Sequence, residues 1–239
     1  MPNIAQHLDT VRQRIANAAQ TAGRDPNSVQ LLAVSKAHPA QDLLEAIEAG
    51  QTCFGESYLQ EALDKMATVD AQSNQPCEWH FIGPCQSNKT SAMAQHFDWV
   101  HSVDRLKIAQ RLSDQRPNHE NSSNQALNIC IQVNTSGEQT KSGLAPEQVE
   151  TLAASIQTLP GLKLRGLMTI PAASNDIEQQ RIPFRLLKQL LDELNTKGYG
   201  LDTLSMGMSN DLEAAIMEGA TIIRVGTALF GPRNKPVQQ

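Results

Sequence analysis

Short apolar runs alternate along this chain with segments whose apolar residues recur every three or four positions. In the first such segment Ile4, Leu8, Val11, Ile15 and Ala18 fall on one helical face within 4–22, and Gly23 follows as a stop. The run QLLAVSK (30–36) then passes from apolar to polar residues, as a buried parallel strand does on leaving a sheet. DLLEAIEAG (42–50) reads as a helix ended by glycine. Further strand-like segments are 53–57, 79–83, 99–103, 127–134, 164–170, 203–208 and 222–227. Helical patterns occupy 58–67, 105–113, 146–157, 178–197 and 211–220. About eight strand–helix units result, the number that closes an α/β barrel of the (β/α)8 TIM type, here with an extra N-terminal helix at 1–23. An open doubly wound sheet shares the alternation, but the count and the lack of a long glycine-rich first loop favour the barrel.

No tandem repeat and no second domain show, so residues 1–239 read as one barrel domain, a length at which α/β barrels are common. RPNHENSSNQ (116–125) is polar and turn-rich, as a surface loop is, and 234–239 reads as a flexible tail. A content of 40% hydrophobic and 19% charged residues is that of an ordinary globular protein. The net charge of −5 argues against nucleic acid as a partner. The N-terminus has no apolar signal core and no apolar run is long enough to span a bilayer, so a cytoplasmic protein with no membrane partner is expected. Cys53, Cys77, Cys85 and Cys130 show no metal-ligand spacing and read as free thiols.

Polar residues collect at the C-terminal ends of the expected strands. Lys36 ends the first, Glu56 and Ser57 the second, Asn134 the fifth, Met208 and Ser209 the seventh, Gly226 and Thr227 the eighth. A barrel gathers these ends at one mouth, where its sites are built. A lysine beside apolar strand residues has its ammonium form disfavoured, and its neutral amine attacks an aldehyde to form a Schiff base. A surface lysine just past a strand is the plainer alternative for Lys36. SMGMSND (205–211) and RVGT (224–227) each lead from a strand toward a helix start, a place that suits phosphate. Ser209 capping a helix and Gly226 making a tight turn are compatible with that role. Arg224 lies inside the last strand. Facing inward it is a buried cation in need of a partner, such as a ring nitrogen with a free lone pair; facing outward it packs on a helix. A lone histidine such as His80 is more often a satisfied core residue than a catalyst.

The chain resembles the pyridoxal phosphate homeostasis proteins, single-domain relatives of the alanine racemase barrel. The resemblance rests on AVSK (33–36), FGESYLQE (54–61), WHFIGPCQSNK (79–89), QVNTSGEQTKSG (132–143), GLMTIP (166–171), LSMGMSNDLEAAI (204–216) and RVGTALFG (224–231). It implies that Lys36 carries pyridoxal 5′-phosphate (PLP) as a Schiff base. It also implies that Ser209, Gly226 and Thr227 hold the phosphate beside Met208, that Arg224 faces the pyridine nitrogen, and that His80 and Asn134 line the site. Three positions depart from the family pattern: Ser57 stands for an asparagine near the cofactor, Cys85 for a leucine, and His38 for a lysine common two residues after the Schiff-base lysine.

Three functions compete. The resemblance implies a protein of intracellular PLP homeostasis with little or no catalysis, a monomer, with apo-PLP enzymes as possible partners. A PLP-dependent amino-acid racemase or other PLP enzyme is the alternative. A PLP-independent Schiff-base lyase on the same barrel is disfavoured by the paired phosphate segments. A cation beside the pyridine nitrogen keeps that nitrogen unprotonated and the ring a poorer electron sink, which is unfavourable for aminotransfer.

Overall fold

The computed structural model describes residues 3–116, 126–138 and 141–232. The tail at 234–239 and all but Arg116 of the 116–125 segment lie outside the described residues. Eight parallel strands close into a barrel in sequence order: β1 (Gln30–Val34), β2 (Cys53–Glu56), β3 (Glu78–Phe81), β4 (Trp99–Val103), β5 (Leu127–Gln132), β6 (Leu162–Met168), β7 (Thr203–Ser205) and β8 (Ile222–Val225). Pairing of β1 with β8, with Leu32 opposite Arg224, completes the ring. The open doubly wound sheet is thereby excluded.

The outer ring is α1 (Ile4–Thr21), α2 (Ala40–Glu48), α3 (Leu59–Gln72), α4 (Thr90–His96), α5 (Leu106–Gln115), α6 (Val149–Ile156), α7 (Ile177–Thr196), α8 (Leu212–Met217) and α9 (Thr227–Phe230). The extra N-terminal helix, α1, starts at a cap in which Asn3 accepts from the Gln6 N–H (3.0 Å). Its buried stripe of Ile4, Leu8, Val11 and Ile15 packs where α2, α8 and α9 meet. The pattern of apolar residues did not show α4 or α9. The first buries little besides Met93 and Ala94, and the second is a single turn of four residues. Among the described residues no helix is long and apolar enough to cross a membrane.

Strand periodicity sorts the side chains into two cores. Trp79 and Phe81 of β3, Leu204 of β7, and Ile223 and Val225 of β8 belong to the large core beneath the helices. Each fully buried side chain of this kind contributes about 1.5–3 kcal/mol. The alternate residues face the barrel interior. There the apolar part is a small separate cluster of Trp99, Cys130 and Met168, and His80, His101, Ser205 and Arg224 are buried beside it. That His101 of β4 bonds Ser205 of β7 (2.7 Å), on strands three places apart round the ring, shows that both point inward. Arg224 is therefore an interior cation, not an outward one.

Candidate functional site at the barrel mouth

The first wall of the mouth is a turn that ends β1 earlier than the apolar run suggested. The Ser35 N–H makes a last bond to Gly55 O (3.1 Å), and the chain then swings through Ala37 at φ 63°. A β-carbon is strained there. The turn is held from behind by α3, whose Glu61 Oε1 accepts from the Ala37 N–H (2.6 Å). The buried Lys65 ammonium donates to Ser35 O (2.7 Å), to Glu56 Oε1 (2.7 Å) and to Glu61 Oε1 (2.5 Å). Ser35 Oγ also donates to Glu56 Oε1 (2.7 Å). Burial pushes the Glu56 carboxyl pKa up, with Lys65 opposing, and Glu56 Oε2 has no hydrogen-bond partner among the described residues. These groups fix the backbone on either side of Lys36.

The second wall follows β7. Gly207 sits at φ 91°, where a β-carbon would also come within 2.6 Å of the Ala215 Cβ. The next turn is closed by the Met208 N–H on Asp211 Oδ1 (2.6 Å) and the Asp211 N–H on Met208 O (3.2 Å). Arg14 of α1 grips this segment from outside, donating to Ser209 O (3.1 Å) and through two nitrogens to Glu213 (2.9 and 3.0 Å). The third wall follows β8, where Gly226 caps α9 and Thr227 starts it. The first N–H groups of a helix have no partner within it.

Between these walls lies a cavity of about 360 Å³, within the span of about 300–1,000 Å³ typical of small-molecule sites. Lys36, Met208, Ser209, Arg224, Gly226 and Thr227 all line it. The rest of the wall includes Ile170 and Pro171, at the end of the GLMTIP stretch, then Ala173, Ser174 and Asn175, which residue patterns did not single out, together with His38 and Asp211. A smaller cavity of about 260 Å³ between α6 and α7 touches no strand end.

The other three expected site residues stand elsewhere. Asn134 spends its side chain on its own loop, donating to Glu138 O (2.8 Å) and accepting from the Ser136 N–H (3.2 Å). Ser57 follows β2, where its backbone runs so close to Gly83 that a β-carbon on that glycine would lie 2.3 Å from Ser57 O. His80 is fully buried in the barrel, stacked on Trp99 with ring centroids 5.4 Å apart. Cys85 is buried as well, its thiol within 3.3 Å of Ser102 Oγ and its pKa raised to about 11 by burial.

Arg224 is 3% exposed. It donates to Ser205 Oγ (2.6 Å) and to Thr169 O (2.8 Å), both neutral acceptors. Burial lowers its pKa to about 10, still far above neutrality. The mouth thus presents a lysine, a buried guanidinium, two hydroxyls and a glycine-bearing helix start around one volume.

This arrangement belongs to the alanine racemase class of barrel. Residues 6–234 match the family described as alanine racemase, N-terminal domain. An alanine racemase of Clostridium difficile, 16% identical, shares the fold with a TM-score of 0.71 over 98% of this chain and 58% of the racemase. The chain belongs to the pyridoxal phosphate homeostasis protein family. It is 57% identical to the pyridoxal phosphate homeostasis protein of Pseudomonas aeruginosa over 98% of this chain and 97% of the relative. With that of Escherichia coli K12 it shares 47% over 98% of both. The PipY protein of Synechococcus elongatus, solved with PLP bound, is 35% identical with a TM-score of 0.79, over 95% of this chain and all of PipY.

Proposed function

We propose that this protein binds PLP at the barrel mouth, as a Schiff base on Lys36, and serves intracellular PLP homeostasis with little or no catalysis. The observation that carries the reading is the convergence of Lys36, Arg224, Ser209, Gly226 and Thr227 on one cavity. These residues fit the group. A β-carbon on Gly226 would stand 3.1 Å from Val34 O and crowd the cradle between the first and last strands. Among the described residues the hydrogen bonds of the buried Arg224 go to neutral acceptors, and Asp211 acts on its charge only at a distance. The PLP-bound relative and the names of the homeostasis proteins support the same cofactor.

PLP supplies an aldehyde for the amine and a ring that withdraws electrons. In this chain Lys36 is the attaching amine, presented by the turn that Glu61 and Lys65 fix. Ser209 and Thr227 donate hydroxyls, and the N–H groups that open α9 add to them, so the phosphate is bound at a neutral, pre-formed cradle. Arg224 is a permanent donor toward the pyridine nitrogen. A donor there keeps that nitrogen unprotonated and so weakens the ring's capacity to accept electrons. Met208 flanks the phosphate segment, whereas Ser57, His80 and Asn134 do not line the cavity.

The test is borohydride reduction of the PLP-loaded protein followed by peptide mass spectrometry. The expected result is a pyridoxyl group on the peptide containing Lys36. Incubation of the loaded protein with apo-PLP enzymes then reads whether the cofactor is handed on.

A further inference from the structure

The interior of the barrel holds more polar chemistry than cofactor contact requires. Starting from the site end, Arg224 Nη1 donates to Ser205 Oγ (2.6 Å). Ser205 Oγ lies 2.7 Å from His101 Nδ1, His101 Nε2 lies 2.9 Å from His80 Nδ1, and His80 Nε2 lies 2.6 Å from Glu78 Oε1. Glu78 opens β3 at the opposite end of the barrel from the mouth, and its side chain is 40% exposed. Both histidine rings are fully buried.

With both imidazoles neutral, the two ends set the direction of every bond between them. An arginine only donates and a carboxylate only accepts. Accepting from His80 Nε2–H leaves the neutral His80 ring with Nδ1 as acceptor. His101 must then donate from Nε2, which leaves its own Nδ1 as acceptor and makes the Ser205 hydroxyl the donor to it. The Ser205 lone pairs then receive Arg224. Each middle group uses one donor and one acceptor, and none is left over. Burial above all, with the Arg224 guanidinium nearby, holds His101 well below its ordinary pKa, and the hydrogen bond from His80 holds Glu78 below its own.

We propose that Glu78, His80, His101 and Ser205 form a one-way hydrogen-bond relay that positions Arg224 toward the ring nitrogen of bound PLP, with Glu78 as the distant counter-charge. This rests on the reading that PLP occupies the mouth with its ring nitrogen toward Arg224. The relay spreads an ion pair over three neutral groups, so the guanidinium keeps a defined orientation without bonding a carboxylate; Asp211, which lines the cavity, spends its Oδ1 on the Met208 N–H and acts on Arg224 only at a distance. These four are positioning residues. None of them lines the cavity. Bonds in such a series polarise one another, so a change at Glu78 is felt at Arg224.

The first test needs no cofactor. Nitrogen-15 NMR of the cofactor-free protein should show His80 and His101 both neutral, both with the proton on Nε2. An imidazolium or an Nδ1–H form at either ring would overturn the relay. The second compares PLP with an analogue whose ring nitrogen is replaced by carbon. Glu78→Gln keeps an acceptor of the same shape and removes the charge. It should weaken PLP on the order of 10-fold and shift the absorption band of the bound cofactor, while the carbon analogue binds as before. Ser205→Ala should do the same. Arg224→Gln should abolish the preference for PLP over the analogue altogether. If Arg224→Gln does so but Glu78→Gln and Ser205→Ala leave affinity and spectrum unchanged, the relay is refuted and the cofactor reading stands. If Arg224→Gln itself leaves the preference intact, both fall.

Discussion

The backbone N–H of Ala37 donates to the carboxylate of Glu61 at 2.6 Å, and this bond holds a left-handed alanine one residue after Lys36. Among the described residues Ala37 is the one non-glycine with positive φ. Such a conformation costs roughly 1–2 kcal/mol for an L-residue and persists only when the surroundings impose it. Here Glu61 imposes it, itself fixed by Lys65. Glu61→Ala should therefore lower stability by about 1–3 kcal/mol and slow attachment of PLP, because the lysine loses its fixed approach. Ala37→Gly should change stability by less than about 1 kcal/mol, since relief of strain is offset by a freer unfolded chain. Urea unfolding and the rate of PLP uptake by absorbance read both. An Glu61→Ala protein with unchanged uptake would show that the turn does not govern Lys36.

Lys36→Ala should abolish covalent attachment and leave the fold in place. The residue lies on the cavity wall outside the sheet and is half-buried, so its loss should alter unfolding free energy by no more than about 1 kcal/mol. Reduction with borohydride followed by mass spectrometry should find no pyridoxyl adduct. An adduct on another lysine would reassign the attachment.

Ser209→Ala combined with Thr227→Val should weaken PLP far more than pyridoxal, which lacks the phosphate. Each hydrogen bond to a charged group is worth roughly 1.5–3 kcal/mol. Equal loss for both ligands in a fluorescence titration would show that these hydroxyls do not meet the phosphate.

Glu56 gives a pH prediction of definite sign. Burial raises its folded pKa above the ordinary value of 4.5, so the native state holds this proton more tightly than the unfolded chain does. Stability from this group is thus fully present below the unfolded pKa and is lost as pH climbs through the raised folded value. Asp98 and Asp211 shift the same way and Glu78 the opposite way, so the informative quantity is the difference from a variant. Wild-type protein minus Glu56→Gln should lose unfolding free energy as pH rises above about 4.5. A difference that grows with pH instead would mean that Lys65 outweighs burial.

Much of the barrel was legible as apolar runs, because strands buried on both faces must be apolar and the helices between them must carry a stripe. The helix α4 was not, since a stripe of Met93 and Ala94 is too short to register a period. The mouth was legible in outline for a topological reason: strand ends converge, whichever residues lie there. Six of the nine expected site residues line one cavity for that reason. The turn at Ala37 was illegible because its cause, Glu61, lies 24 residues on in another helix. The partners of His80 and Arg224 were illegible for the same reason on a larger scale. His101 and Ser205 meet only when closure brings β4 and β7 face to face across the interior. The segment Ala173 to Asn175 has no period at all, and it reaches the mouth only through the path between β6 and α7.

This protein should interconvert L- and D-amino acids slowly or not at all. Racemisation through PLP removes a proton from one face of the Cα and returns it on the other, which takes two placed acid–base groups. Lys36 supplies one. The chain has two tyrosines, Tyr58 and Tyr199, and neither lines the cavity. Tyr58 caps the start of α3. Tyr199 packs on the helix-side core just before β7, at the end of the barrel away from the mouth. His38 lines the cavity but lies within 3.4 Å of Asp42 and is packed on Phe230, 5.2 Å between ring centroids, which ties it to the Lys36 side of the wall. Asp211 also lines it, but its Oδ1 is occupied by the Met208 N–H. Chiral chromatography of L-alanine incubated with the PLP-loaded protein should find turnover well below the usual enzyme range of about 1–10³ s⁻¹. Turnover within that range, lost in Tyr58→Phe, would mean that the cap of α3 moves into the mouth and that the protein is a racemase.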